Sequence, residues 1–328
     1  MTPRVSMLII TLNELPALKE VIRDLRKQTL KEFEIIVCDN GSEDGTEAFV
    51  KTLKGVKYVN SGKNIGTPVF NSGLALSEAD FIFIGATDMK FPPDCLKKTI
   101  SYMDAHPDCG QAFPIMLKGQ DHSIVDVSNA WLSRGFYAGS IKELPTKNER
   151  MPFVGGGMVR RKALNEAGGF LYEPTYFIYG EDVDLGYRLR RAGYYIEAIN
   201  DTFHYHYGHQ AKKIFTAYQL TRMVEKNMWN AMLCHLRKRD LLFSIPYAWF
   251  LRGLVFLKDL LKGDFGRAKA RISGVFYTIT HLPAILERRK RLAKILKNQW
   301  IPEYFTNSFY DESFVLSIFL NMIKRSKK

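Results

Sequence analysis

The first half of the chain alternates between two hydrophobic periods. Short apolar runs stand at residues 5–10, 34–38, 56–59 and 81–84, and segments with helical spacing follow at 14–28, 46–53, 68–76 and 92–105. Consecutive strands joined by helices build a parallel sheet covered on both faces. In such sheets ligands bind beyond the carboxyl ends of the strands. The polar residues directly after each apolar run are therefore the ones to read.

Those residues are Thr11, Asn13 and Glu14 after the first run, Asp39, Asn40, Gly41 and Ser42 after the second, Asn60 and Asn64 after the third, and Ala86, Thr87 and Asp88 after the fourth. One polar strand end has an ordinary explanation as a helix cap, and Asn13 fits it. Four ends that the fold brings together point to a binding site.

With 46% apolar residues the chain can bury a substantial core, which excludes wholesale disorder. Cys38, Cys95, Cys109 and Cys234 show no CxxC pairing, so they read as reduced thiols, with neither a disulfide framework nor a zinc site. The strand-like VSMLIIT begins at Val5 without a preceding apolar segment, so no signal peptide is expected.

Charge divides the chain. Residues 211–328 carry 23 Lys and Arg against 8 Asp and Glu, a net +15, which leaves 24 against 26, a net −2, for residues 1–210. Two regions are expected: an α/β domain over 1–210 and a basic, mainly helical region over 211–328. In the second, apolar stretches at 241–257 and 272–286 alternate with basic clusters at 237–239, 288–291 and 324–328. The longest stretch is interrupted by Arg252 and contains Pro246 and Gly253, so it falls short of the roughly 20 uninterrupted apolar residues of a spanning helix. Two readings remain open: amphipathic helices lying in the plane of an anionic membrane surface, or a helical subdomain packed on the first domain. No nucleic-acid-binding motif accompanies the charge, so nucleic acid is not expected as a partner.

The segments VSMLIITLNE, EIIVCDNGSEDGT, NIGTPVFNSG and FIFIGATDMKFPPD, followed by FVGGGMVRRKALNEAGGF, YGEDVDLGYRLRRAGY and DTFHYHYGH, resemble in order those of family 2 glycosyltransferases with the GT-A fold. The likeness covers roughly residues 4–210, and the rhamnosyltransferase-like members are the most similar by pattern. The fold it implies is a Rossmann-like, mostly parallel sheet flanked by helices. The donor it implies is a nucleotide sugar, with UDP- or dTDP-sugars favoured and GDP-sugars possible. The acceptor is a glycan or a polyprenyl-linked glycan.

The resemblance distributes the residues over the reaction. Thr11, Asn13, Glu14, Asp39, Asn64 and Thr87 line the base and ribose. Gly156, Gly157 and Met158 let backbone approach the donor sugar or acceptor. Asp182 is the general base, Glu181 orients the acceptor, and Asp184 reads as an ordinary helix-end acid. A divalent cation, Mn²⁺ or Mg²⁺, is held by Asp88 and His206, with His204 a weaker candidate. Here the sequence departs from the family's D-x-D element, because Ala86 occupies the first acidic place. The implied activity is an inverting, metal-dependent transfer in surface polysaccharide synthesis, peripheral on the cytoplasmic face of the membrane. The alternative that Ala86 raises is a degenerate nucleotide-sugar-binding or scaffold protein. Oligomeric state is open.

Overall fold

A computed structural model describes residues 3–208, 214–297 and 299. His209 and the 324–328 basic cluster lie outside the described residues. The chain divides into two units, residues 1–130 with 140–208, and residues 131–139 with 209–328.

The first unit opens with β1 (Val5–Thr11), α1 (Leu15–Leu25), β2 (Phe33–Asp39), α2 (Thr46–Lys51), β3 (Val56–Asn60), α3 (Val69–Ala75) and β4 (Phe81–Ala86). These strands are parallel in the order β3-β2-β1-β4. Each is an almost uninterrupted apolar run because both sheet faces are covered. On one face Leu8, Ile36, Ile82 and Ile84 pack with Phe70 and Leu74 of α3. On the other, Met7, Ile9, Val37 and Phe83 meet Leu18, Val21 and Ile22 of α1. The register sets the strand ends side by side: Thr11 is opposite Asp39, Asp39 opposite Asn60, and Ile10 opposite Ala86.

Beyond β4 the sheet changes character. β5 (Met89–Lys90), α4 (Cys95–Ala105), β6 (Cys109–Lys118) and β7 (Val125–Val127) follow, then β8 (Asn129–Leu132), β9 (Ala138–Ile141), β10 (Glu149–Arg150), β11 (Gly157–Arg160), α5 (Arg161–Glu166), α6 (Glu181–Arg191) and β12 (Tyr195–His206). β11 enters antiparallel between β4 and β6, while β12 runs parallel to β6 and antiparallel to β5 and β10. The ten-stranded sheet thus keeps its long parallel pairings, β3-β2-β1-β4 and β6-β12, and adds short antiparallel ones around them. The insertion of β11 is a long-range pairing, which local periodicity does not carry.

The second unit contains α7 (Ala217–His235), α8 (Lys238–Leu261), α9 (Phe265–Thr280) and α10 (Leu282–Ile295). Thr216 and Gln219 close a reciprocal capping box at the start of α7. α8 runs unbroken through Pro246 and Arg252 and is long and apolar enough to cross a membrane by length and composition. The charge that seemed to interrupt it is neutralised: Arg252 Nε lies 2.7 Å from Glu225 Oε2, and Arg271 joins Glu225 to Asp259. Pairing offsets part of the cost of burying these charges.

α8 and α9 of this unit bury polar side chains beside apolar ones such as Leu251 and Val255, and they expose large apolar residues. α8 buries Asp240, Ser244, Ala248, Arg252 and Asp259, and exposes Leu242, Phe243, Trp249, Phe250, Leu257 and Leu261. α9 does the same, with Ala268, Gly274 and Thr278 inside and Phe265, Ile272, Phe276 and Ile279 outside. Gly274 has a packing reason to be glycine, because a Cβ there would lie 2.6 Å from the Glu225 side chain. All four cysteines are buried, and none is in a disulfide.

Candidate functional site

The loops after β1 and β2 lock together. Asn13, held at φ 53°, donates its N–H to Ser42 Oγ at 2.8 Å and accepts from Glu43 N–H at 2.8 Å. The α1 N-terminus is capped across the site, since Asp44 Oδ2 accepts from Leu15 N–H at 2.8 Å. Asn13 is thus a loop clasp and not the cap of α1. Thr11 is buried beside Asp39, and its hydroxyl has no hydrogen-bond partner.

Asp39 is fully buried at the end of β2. Its Oδ1 accepts from the N–H and hydroxyl of Ser42 at 2.8 and 2.7 Å, and its Oδ2 accepts from the Tyr58 hydroxyl at 2.7 Å. Burial and then the neighbouring Asp39 push the Tyr58 phenol far above its ordinary value. A carboxylate offers about four acceptor positions, so capacity remains for a further donor. The next loop is tied to the same strand end. Asn40 Oδ1 accepts from Ile65 N–H at 3.1 Å, while Asn64 is exposed and its Oδ1 accepts from Gly66 N–H at 3.0 Å.

That loop also reaches the acidic segment. Gly66 sits at φ 73°, and a Cβ there would collide with the Phe177 carbonyl, so only glycine fits. Thr67 N–H donates to the same carbonyl at 2.9 Å, and its hydroxyl reaches Glu181. Glu181 and Asp182 form the first turn of α6, preceded by two residues in left-handed conformation, Tyr179 at φ 66° and Gly180 at φ 86°.

The two acids have different surroundings. Glu181 is 4% exposed and its Oε2 has no hydrogen-bond partner. Burial, and then the charge of Asp182, raise its pKa well above the usual value. Asp182 is partly exposed, and its Oδ1 accepts from the Tyr172 hydroxyl at 3.1 Å. Burial raises its pKa to about 7, with the Tyr172 bond working against the rise. Such a pair suits proton transfer near neutrality, because a base works best with a pKa near the working pH. Asp184 differs: with Arg188 it forms a fully buried ion pair at 2.9 Å. Arg188 also donates to the carbonyls of Ala167, Phe170 and Leu171, which fixes the loop before α6.

Gly155 faces Asp182, and the Gly156 carbonyl accepts from Gln111 Nε2 at 2.6 Å. A Cβ on Gly157 would collide with the Ala112 carbonyl at 2.5 Å. Met158 is fully buried in the core between β4 and β6, so its side chain is not offered to a ligand.

At the end of β4, the Thr87 hydroxyl donates to Glu14 Oε2, which places a carboxylate beside the strand whose Ala86 lacks one. Asp88 accepts from Tyr207 N–H through its carbonyl at 2.8 Å, and β5 and β12 pair so that His206 is opposite Met89. His206 Nε2 then stands 3.3 Å from Asp88 Oδ2, and Nδ1 stands 3.2 Å from Asp126 Oδ2. Burial lowers the His206 pKa, but the bonds to Asp88 and Asp126 outweigh it and the net shift is upward. Burial raises the Asp126 pKa, but His206 and Lys142 together outweigh it and the net shift is downward. His204 is buried between Phe91 and Phe113, and burial depresses its pKa to about 3, so it remains neutral.

Among the described residues no three His, Cys, Asp or Glu side chains converge as a ready-made metal cage. Asp88 and His206 nevertheless supply a carboxylate oxygen and an imidazole nitrogen facing each other, a donor pair that suits Mn²⁺ better than Mg²⁺. Tyr58, Thr67, Asp126 and Tyr172 are the residues that sequence reasoning missed. Each reaches the site through tertiary pairing and carries no local signal.

A family model for glycosyl transferase family 2 matches residues 6–168. A curated relative, N-acetylglucosaminyl-diphospho-decaprenol L-rhamnosyltransferase of Mycobacterium tuberculosis, is 25% identical over 229 residues, covering 59% of this chain and 73% of the relative. Among solved structures, GalNAc-T7 with UDP, GalNAc and Mn²⁺ superposes with a TM-score of 0.60 at 14% identity. That match covers 85% of this chain, which spans 57% of GalNAc-T7. The mannosyltransferase PcManGT of Pyrobaculum calidifontis, with GDP-Man and Mn²⁺, superposes at 0.52 and 16% identity over 89% of this chain and 81% of its own. At these identities the structural likeness speaks for the fold, which is that of GT-A glycosyltransferases.

Proposed function

The chain belongs to glycosyl transferase family 2, and from that premise we propose that it moves a sugar, with inversion, from a nucleoside-diphosphate sugar to a hydroxyl of a lipid-linked glycan in surface polysaccharide synthesis. The observation that carries this reading is the acid pair at the start of α6, with Asp182 partly open, raised to about 7, and facing Gly155. The name of the mycobacterial relative specifies an L-rhamnosyl donor residue and a decaprenol-linked acceptor, which supports a polyprenyl-linked acceptor here.

In the proposed reaction the acceptor hydroxyl lies against Asp182. Its oxygen attacks the anomeric carbon while the bond from that carbon to the diphosphate oxygen breaks. The diphosphate leaves with the electron pair, and the hydroxyl proton passes to the Asp182 carboxylate. A single displacement inverts the carbon. Burial, and then the charge of Asp182, raise the Glu181 pKa well above the usual carboxylate value, and Tyr172 holds the Asp182 carboxylate in place. Thr11, Asn13, Asp39 and Asn64 surround the base and ribose. A divalent cation held by Asp88 and His206 would neutralise charge on the leaving diphosphate.

The large apolar side chains that α8 and α9 expose support a peripheral position on the cytoplasmic membrane face. The second unit's exposed Leu, Phe and Trp side chains suit the acyl boundary, and the exposed Lys238, Arg239, Lys290 and Arg291 suit anionic headgroups.

The test is a donor screen on the full chain, with UDP-, dTDP- and GDP-sugars and a polyprenyl-diphosphate-linked sugar, with and without Mn²⁺. Transfer from one nucleotide class, dependent on the cation, is the expected result. Nucleotide-sugar binding without turnover for every donor would support the degenerate binder instead.

A further inference from the structure

We infer that Asp126 is a positioning residue for His206, holding the imidazole by its Nδ1 so that Nε2 is turned toward Asp88. The inference rests on the reading that Asp88 and His206 hold a cation.

Asp126 sits in the three-residue strand β7, which pairs antiparallel with β6. The pairing is irregular at this point. Met116 is opposite Val127 and Leu117 is opposite Val125, so two steps along β7 match one step along β6, and Asp126 is the extra residue of a β-bulge. Bulges re-aim side chains, and they recur next to active sites. This one sends the Asp126 carboxylate to His206, with Oδ2 3.2 Å from Nδ1. The other oxygen, Oδ1, lies 3.4 Å from the exposed Lys142 ammonium.

Placement and chemistry agree. Asp126 is 7% exposed, and a buried carboxylate needs a partner to offset its desolvation. The partner it has is the imidazole whose opposite nitrogen faces Asp88 at 3.3 Å. A neutral imidazole carries one ring hydrogen, so a histidine that offers the Nε2 lone pair keeps its hydrogen on Nδ1 and needs an acceptor there. An ionised aspartate only accepts, so it fixes the tautomer as well as the ring orientation. Carboxylate–histidine–metal arrangements of this kind typically contribute 10- to 100-fold to metal affinity.

The experiment compares full-length wild type, Asp126→Ala, Asp126→Asn and His206→Ala. Binding of Mn²⁺ alone is read from the electron paramagnetic resonance signal of free Mn²⁺. Folding is checked by circular dichroism. Asp126→Ala is expected to weaken Mn²⁺ binding about 10- to 100-fold, and Asp126→Asn, whose amide oxygen still accepts, to retain most of it. Wild-type Mn²⁺ affinity in Asp126→Ala, alongside lost binding in His206→Ala, overturns the role of Asp126 while leaving the cation reading intact. Wild-type affinity in His206→Ala overturns both. A second measurement needs no variant. With Zn²⁺ as a diamagnetic probe, the ¹⁵N spectrum of His206 in the wild-type chain is expected to show Nδ1 protonated and Nε2 bound. The opposite assignment overturns the inference.

Discussion

Asp182 and Gly155 face each other so closely that a Cβ at position 155 would lie 3.1 Å from Asp182 Oδ2. The contact is tight, and the backbone at 155 is not in the left-handed region, so alanine is compatible with the fold there. Gly155→Ala is therefore expected to fold and to bind nucleotide normally while crowding the space an acceptor hydroxyl needs. Displacement of a reacting group by even 1 Å can cost about 10²-fold in rate. The check is a kcat at least tenfold lower with an unchanged dissociation constant for the nucleoside diphosphate. An unaltered kcat would remove this face of Asp182 from the reaction.

The raised pKa of Asp182 sets the pH profile. As a base it works only when ionised, so kcat is expected to rise with pH through about 7 and then level. Asp182→Asn should bind donor and lose transfer by about 10²- to 10⁴-fold. A flat profile from pH 6 to 8 in the wild-type enzyme, or full turnover in Asp182→Asn, would refute the assignment.

The same pair affects stability with the opposite sign from most carboxylates. The folded pKa values of Glu181 and Asp182 lie above the usual 4.5 and 3.8. The folded chain thus binds more protons than the unfolded chain from about pH 4 up past pH 7, and stability falls as pH rises through that window. Glu181→Gln keeps the shape and removes one titrating group. It is expected to raise Tm by a few degrees at pH 8 and by less at pH 5, read by thermal unfolding at both values. Equal shifts at the two values would contradict the raised pKa.

The structure shows which of these relationships local pattern could carry. Thr11, Asp39, Asn60 and Ala86 were legible as strand ends because buried parallel strands are continuous apolar runs and their polar punctuation is local. Glu181 and Gly193 bracket α6 for the same reason, with Gly193 at φ 96° just beyond the helix end. Tyr172 and Asp126 were not legible. The first reaches Asp182 through a loop fixed by the buried Asp184–Arg188 pair, and the second reaches His206 through a bulge. The antiparallel insertion of β11 was hidden because strand pairing across more than 70 residues leaves no period in the chain. The role of Arg252 was not legible, because its neutralising partner Glu225 lies on another helix.

Asp88 tests the other half of the site. Asp88→Ala removes the carboxylate that faces His206 Nε2. Cation-dependent binding of a nucleoside diphosphate is expected to weaken at least tenfold, while cation-free binding, which depends on the β1, β2 and β3 ends, stays the same. Calorimetric titration with and without Mn²⁺ separates the two. Equal loss in both conditions would indicate a structural defect.

The exposed apolar side chains of α8 make the last prediction. Phe243, Trp249 and Phe250 of α8 are 68, 50 and 57% exposed, while Arg252 and Asp259 of the same helix are buried. Transfer of a large apolar side chain out of water is worth about 1.5–3 kcal/mol, so each aromatic contributes a measurable share of membrane affinity if this face enters the lipid boundary. Replacing all three by glutamine leaves the Arg252–Glu225 and Arg271–Asp259 pairs in place and is expected to preserve helix content. Flotation of the full chain with vesicles of phosphatidylglycerol and phosphatidylethanolamine should then fall at least tenfold relative to wild type. High salt should release the wild type in part, because the basic clusters contribute through screened attraction. Undiminished flotation of the triple variant would place the membrane contact elsewhere, and a wild-type chain that neither floats nor remains monomeric would assign this face to a second copy.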